Sequence, residues 1–103
     1  MLHVIATVEL NPGTRTAFLA EFKAITPKVH AEDGCIEYGA TIDASDTGIS
    51  RQVPIGADRV VIVEKWRDLA ALKAHLNAPH MTDYRTKVKD YVRGTSLQLL
   101  VPA

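Results

Sequence analysis

The sequence has a single cysteine, Cys35, among its 103 residues. One cysteine excludes an internal disulfide bond and any metal site built from several thiolates. The chain also lacks an excess of charge, because its 12 lysines and arginines balance 12 aspartates and glutamates. Binding to a phosphate backbone or an anionic membrane needs a clear basic excess, so we expect neither nucleic acid nor a membrane as a partner.

Long apolar runs are missing as well. No apolar stretch approaches the roughly 20 residues of a membrane-spanning helix. The opening segment, MLHVIATVEL, has no basic region and carries polar side chains, so it predicts a first strand rather than a signal peptide. We therefore expect a cytoplasmic protein in which residues 1–103 form one domain.

Hydrophobic periodicity predicts four strands and two helical regions. The strands are LHVIATVEL, CIEYGATID, RVVIVEKW and TSLQLLV. A stripe formed by Phe18, Phe22, Ile25 and Val29 predicts a helix after the first strand. RDLAALKAHLN and HMTDYRTKVKDYV predict a second helical region, which Pro79 interrupts and Gly94 ends.

The predicted order, β-α-β-β-α-β, is the ferredoxin-like arrangement, an α+β fold with a four-stranded antiparallel sheet. Helices on one face leave the other face of such a sheet bare. The first strand has apolar residues for both faces, so we expect a homodimer in which two sheets stack. The segment Ala44–Asp58, rich in glycine, proline and small polar residues, predicts a long loop.

Glu64 and Trp66 are the first candidates for a functional site. A period of two places them on the same strand face as Val60 and Ile62, where a carboxylate needs a partner or a cavity. Two interpretations remain open from the pattern alone. Glu64 either faces a cavity or pairs with a nearby basic residue at the strand end, and Trp66 either lines a site or packs in the core.

Histidines give the second set of candidates. His75 lies on the margin of the stripe that Leu69, Leu72 and Leu76 form, where it is either a base in a cleft or a half-exposed surface residue. His80 follows Pro79 at a helix start, which is typical of a surface position near a helix cap. No Ser-His-Asp order, phosphate loop or HExxH pattern is present, so periodicity predicts only a small α+β domain with a pocket.

The chain resembles the antibiotic biosynthesis monooxygenase family, including its quinol monooxygenase members. The likeness covers nearly the whole sequence and keeps the predicted order of elements. Its most specific part is the block from Glu64 to His75. The matching pieces are LHVIATVELNPG, Gly34-Cys35 with Tyr38, Glu64 and Trp66, Ala71-Leu72-Ala74-His75, and Pro79-His80.

The resemblance implies a dimeric α/β-barrel assembly with a pocket between helices and sheet in each subunit. It also implies oxidation of a quinol or polycyclic phenol by molecular oxygen, with no flavin, haem or metal. The implied catalytic residues are His75, Trp66 and Glu64. His75 would take the phenolic proton, and Glu64 would orient or polarise a partner. Trp66 and Tyr38 would form walls of the pocket and donate hydrogen bonds to developing oxyanions. The expected substrate-binding residues are Tyr38, Thr7, Leu72, Met81 and Tyr84.

Two other functions stay open. Haem-degrading members of the same fold use an asparagine near the first strand together with a haem-ligating histidine. The asparagines here are Asn11 and Asn77, and neither lies within the predicted first strand. A non-enzymatic protein that sequesters a small aromatic compound is the other alternative. The Ala44–Asp58 loop departs from the usual pattern of the family, which leaves the size of the substrate open.

Overall fold

The computed structural model describes residues 1–103 and is built on one antiparallel sheet. Its strands are β1 (Leu2–Leu10), β2 (Cys35–Thr41), β3 (Arg59–Trp66) and β4 (Val92–Leu100). They lie in the order β2-β3-β1-β4, so β1 and β3 form the centre. This is the ferredoxin-like topology, and the predicted fold class is confirmed.

Three helices cover one face of the sheet: α1 (Arg15–His30), α2 (Leu69–Leu76) and α3 (Pro79–Val88). The predicted interruption at Pro79 separates α2 from α3. Pro79 begins α3, where the fixed φ of proline suits a helix and its missing N–H loses no hydrogen bond. None of the helices has the length and apolar character that crossing a bilayer requires.

The predicted end of the last helix is wrong. α3 ends at Val88, and Gly94 lies inside β4. Tyr91 continues the apolar spacing of the helix, but its N–H closes a turn onto the carbonyl of Val88 at 2.9 Å. The chain then enters β4 at Val92, which pairs with Leu10 of β1.

The core lies between the sheet and the helices. Val4 of β1 and Val60 of β3 are fully buried, and α1 contributes Phe18 and Phe22. The Phe22 ring stacks on that of Tyr38, with the ring centroids 5.1 Å apart. Removing such a buried aromatic side chain typically costs about 3–5 kcal/mol.

The opposite face of the sheet has no helix over it. Ile5 lies there between Val63 of β3 and Gln98 of β4. Thr7 lies on the same face, paired with Val61. Because successive strand residues alternate between faces, the side chain of Thr7 points away from the helices.

The long loop is present, since residues 42–58 contain no helix or strand. Asp43 at its start accepts hydrogen bonds from the backbone N–H groups of Ile55, at 2.9 Å, and Gly56, at 3.0 Å. These two bonds hold the pKa of the Asp43 carboxyl below its usual value. The carboxylate thus ties the two ends of the loop together.

Candidate active site

Glu64 and Trp66 lie two residues apart at the end of β3, so both side chains point toward the helices. Trp66 is fully buried and Glu64 is 5% exposed. The indole Nε1–H of Trp66 donates a hydrogen bond of 2.9 Å to Glu64 Oε1. Glu64 is therefore paired with an indole and not with a basic residue.

The environment of Glu64 changes its acidity. Burial raises the pKa of Glu64 to about 7, above the ordinary value of 4.5. The nearby carboxylate of Glu32 adds to this rise, and the hydrogen bond from Trp66 opposes it. Around neutral pH the side chain is divided between carboxylic acid and carboxylate, so it can both donate and accept a proton.

His75 is buried on α2, only 2% exposed, although the sequence pattern left a half-exposed position open. Its ring packs against Trp66, with centroids 4.6 Å apart, and forms an edge-to-face contact with Tyr38, with centroids 5.4 Å apart. Nδ1 lies 2.9 Å from Oε2 of Glu32. Burial lowers the pKa of His75, while the hydrogen bond and charge of Glu32 counteract part of that change.

The partner on Nδ1 fixes the tautomer of His75. A carboxylate can only accept hydrogen bonds, so Nδ1 carries the proton and donates the hydrogen bond to Glu32. Nε2 then holds a lone pair and has no hydrogen-bond partner within the protein. This atom is nevertheless accessible to solvent-sized molecules. His75 itself lines the cavity described below. A carboxylate on Nδ1 and a free Nε2 leave the imidazole able to accept a proton at Nε2.

Glu32 is a site residue that sequence reasoning missed. It lies in the turn after α1, and its side chain is 13% exposed. Gly34 allows this turn to approach α2, because an added Cβ would lie 2.6 Å from the Cβ of Ala71. Gly34 also has φ of +83°, which glycine adopts most readily. Nothing in the sequence around Glu32 indicated a histidine partner.

His80 reaches the same carboxylate. Its Nε2 lies 2.9 Å from Glu32 Oε2, and its side chain is 21% exposed. The expected surface position near a helix cap is therefore a half-buried one. Two histidines from different helices thus meet at a single oxygen atom.

Two tyrosines complete the polar groups. Tyr38 and Tyr84 are buried, and the loss of solvation raises the pKa of each phenol well above its usual range. Both therefore stay protonated at neutral pH. Neither hydroxyl forms a hydrogen bond within the protein, and neither is sealed from a surrounding cavity. Each is thus an available hydrogen-bond donor.

These groups surround one cavity of about 550 Å³ between the helices and the sheet. Such a volume falls in the usual range for small-molecule sites, and a mostly apolar lining with a few polar groups is typical of them. Its lining residues are Ala6, Val8, Phe18, Tyr38, Ile62, Glu64, His75, Leu76, Met81, Tyr84, Arg85, Val88, Lys89, Val92, Thr95 and Leu97.

The structure brings five of the predicted site residues to this cavity and leaves three outside it. His75, Glu64, Tyr38, Met81 and Tyr84 line the cavity. Trp66, expected to form a wall and to donate to oxyanions, lies outside the cavity lining. It packs against His75, and its one N–H donates to Glu64 instead. Leu72 is buried in the core, and Thr7 is on the opposite face of the sheet.

Several lining residues were not predicted. Arg85 lies on α3, and Lys89 follows one turn later, directly after the helix ends. Thr95 and Leu97 come from β4. The sequence pattern assigns these residues to the last helix and the last strand, but it does not show that the two elements border one cavity. No group of three or more His, Cys, Asp or Glu side chains is arranged to hold a metal ion.

Fold and site together define a small ferredoxin-like domain with an apolar cavity that holds an oriented histidine and a buried carboxyl group. Residues 1–87 match the family described as antibiotic biosynthesis monooxygenase, and the chain belongs to that family. It is 38% identical over 104 residues to "Probable quinol monooxygenase YgiN" of Escherichia coli K12, which covers 99% of this chain and 98% of the relative.

Solved structures agree with this assignment. PA3566 from Pseudomonas aeruginosa has a TM-score of 0.79 at 26% identity, over 99% of this chain and 93% of that one. Rv0793 from Mycobacterium tuberculosis has a TM-score of 0.78 at 28% identity, over 99% and 94%. The recognised family and the fold are therefore confirmed.

Proposed function

We propose that this protein is a cofactor-independent monooxygenase that oxidises a quinol or polycyclic phenol with molecular oxygen. The observation that carries the proposal is His75, whose Nδ1 is held by Glu32 while Nε2 is free beside an apolar cavity. A flat aromatic substrate suits such a lining, and the name of the relative YgiN refers to a quinol.

His75 acts as the general base. The lowered pKa of His75 keeps the imidazole neutral near pH 7, so Nε2 can accept the phenolic proton. Glu32 holds the ring and stabilises the imidazolium that forms. Trp66 packs against the ring and restricts its rotation. A base held in the correct orientation lowers the entropic part of the activation barrier.

The electron-rich substrate supplies the reducing power. After His75 removes the hydroxyl proton, the phenolate transfers one electron to O₂, and the resulting semiquinone and superoxide combine at an adjacent ring C–H carbon. The peroxide loses the ring proton, its O–O bond breaks, and a carbonyl group remains on the ring. One oxygen atom enters the product and the other leaves as water, so the quinol provides all four electrons.

Glu64 and the tyrosines assist the later step. Glu64, with a pKa of about 7, can give a proton to the departing oxygen as water forms. The hydroxyl groups of Tyr38 and Tyr84 can donate hydrogen bonds to oxyanions that develop on the substrate. The mostly apolar lining of the cavity lowers the local dielectric constant, which strengthens these interactions.

The proposal includes a homodimer that uses the bare face of the sheet. Ile5 and Val63 are half-exposed there, and Leu100 on the same face is 49% exposed. Three or more strands with an uncovered apolar face bury it most simply against a second sheet. Two cavities per dimer, one in each subunit, would then carry the reaction.

Oxygen consumption tests the activity directly. Purified protein is mixed with a substituted hydroquinone, and O₂ uptake is followed with and without prior treatment with a metal chelator. We expect uptake above the uncatalysed rate and no loss after chelation. Saturable binding without O₂ uptake would instead indicate a sequestering protein. A Soret shift on adding haemin, with no hydroquinone oxidation, would indicate a haem protein.

A further inference from the structure

One oxygen atom of Glu32 lies between two imidazole rings. Oε2 is 2.9 Å from His75 Nδ1 and 2.9 Å from His80 Nε2. Each ring donates to this oxygen when the carboxylate is ionised. The negative charge is therefore shared, and a change of charge on one histidine alters the interaction of Glu32 with the other.

The two histidines have different access to solvent. The side chain of His75 is 3% exposed, whereas that of His80 is 21% exposed. His80 lines a second, smaller cavity of about 110 Å³ between α1 and α3. His75 lines the large apolar cavity instead, so His80 is the more exposed member of the pair.

Charged and titratable groups from several elements face this pair. Around His75 they are Glu32 in the turn after α1, Tyr38 on β2, Glu64 on β3, and His80 and Arg85 on α3. Around His80 they are Glu32, Glu21 and Lys28 from the first helix and its turn, and Asp83, Tyr84 and Lys87 on α3. Glu32 is the one carboxylate that hydrogen-bonds to both rings.

We propose that His80 is a positioning residue that acts on His75 through their shared Glu32 oxygen and sets the lowest pH at which His75 keeps a free Nε2. The proposal rests on the proposed function, in which His75 is the base. His80 has no part in the proposed reaction itself, so its role would be to adjust the properties of His75.

The physical reason is competition for one carboxylate. When His80 is neutral, Glu32 keeps its full negative charge and favours a protonated His75. When His80 is protonated, its charge offsets that of Glu32, and a second imidazolium at His75 becomes unfavourable. Histidine side chains in general change charge between about pH 5 and 8, so the two rings compete for Glu32 in the pH range in which a histidine can act as a base.

Three variants separate charge from hydrogen bonding. His80→Gln places an uncharged N–H donor near the position of Nε2, and His80→Lys retains a permanent positive charge. Lys73→Gln is the matched control, because it removes an exposed cation from the helix of His75 without contacting Glu32. The ring protons of His75 are followed by NMR during a pH titration of the full chain without substrate, and thermal unfolding verifies that each variant is folded.

We expect the His75 titration midpoint to move to higher pH in His80→Gln and to stay at or below the wild-type value in His80→Lys. Lys73→Gln should leave it in place. An unchanged midpoint in His80→Gln, or an equal rise in His80→Gln and His80→Lys, would overturn the proposal.

The pH dependence of turnover provides the second measurement. In His80→Gln the acid limb of kcat/KM should move to higher pH, with a several-fold loss near pH 6 and little change near pH 8. A limb that stays in place while the NMR midpoint moves would overturn the link to catalysis. Absence of O₂ uptake in the wild type would refute the proposed function alone, because the NMR titration needs no substrate.

Discussion

The carboxyl group of Glu64 is buried, so its ionisation costs free energy. It is 5% exposed, and a single indole hydrogen bond offsets the loss of solvation. Its folded-state pKa of about 7 lies above the ordinary 4.5. Stability from the protonated form is therefore complete below pH 4.5 and is lost as pH rises to about 7. The Glu64 carboxyl group therefore remains a proton donor up to about neutral pH, and its ionisation at higher pH lowers the free energy of unfolding.

Glu64→Gln should remove most of this pH dependence, because the amide is neutral at every pH. One pKa unit corresponds to about 1.4 kcal/mol, so the wild type should lose about 3 kcal/mol between acid and mildly alkaline pH through Glu64 alone. Urea unfolding at pH 4.5 and pH 8 measures the difference. Glu37→Gln, at an exposed position on β2, is the control. Equal pH dependence in wild type and Glu64→Gln would contradict the account.

Single residues differ in how far the sequence predicts them. Glu64 and His75 could be found because strand and helix periods assign each to a face of its own element. Glu32 could not be found, because it is 43 positions from His75 and their contact depends on how the turn after α1 meets α2. The burial of Trp66 behind its neighbours likewise follows from packing and not from its position on β3.

Among the elements, the turn after α1 controls the geometry of the site. Gly34 sits where the turn touches α2, and its carbonyl accepts a hydrogen bond of 2.8 Å from the N–H of Arg67. The N-terminus of α2 is fixed in turn by Asp68, whose side chain accepts from the N–H of Ala71 at 2.9 Å. The position of Glu32 relative to His75 depends on both contacts.

Gly34→Ala should destabilise the protein more than Gly13→Ala. Both glycines have positive φ, +83° and +79°, so both variants incur backbone strain of about 1–2 kcal/mol. Only at Gly34 would the new Cβ meet another atom, the Cβ of Ala71 at 2.6 Å, whereas Gly13 has nothing within 4 Å. Free energies of unfolding from urea titrations compare the two. Equal losses would show that the close contact is not needed.

Element boundaries were predicted less well than element order. The four strands and the break at Pro79 follow from alternation and from the chemistry of proline. The end of α3 does not, because Tyr91 continues the helical spacing although pairing with β1 recruits Val92 into β4. Arg85, Lys89, Thr95 and Leu97 were missed for a different reason. The pattern assigns them to the last helix and the last strand without showing that both elements border the cavity.

At the scale of the whole molecule, the bare sheet face is the main unsatisfied surface. Ile5, Val61 and Val63 lie half-exposed on the two central strands. Interfaces of obligate dimers typically bury about 2,000 Å² or more in total. A sheet of this size offers enough area only if most of the face takes part, so a charge at its centre should be disruptive.

Sedimentation velocity at micromolar concentration should show a dimer for the wild type. Val63→Asp should shift the protein to monomer, because it would place an unpaired carboxylate in the interface. Leu69→Asp, at a position on α2 that is 48% exposed, should remain dimeric. A folded wild-type monomer at this concentration would contradict the assembly.

The central claim is that His75 removes the phenolic proton, and O₂ uptake by His75→Gln with a hydroquinone tests it most directly. Rates are measured from about pH 6 to 9 beside the wild type and Lys73→Gln, with near-UV circular dichroism to verify folding, because His75 is buried. Loss of a general base should reduce turnover about 10²–10⁴-fold near neutral pH. The deficit should shrink at high pH, where the substrate ionises unaided. A folded His75→Gln variant that oxidises the hydroquinone at the wild-type rate across this range would contradict the account.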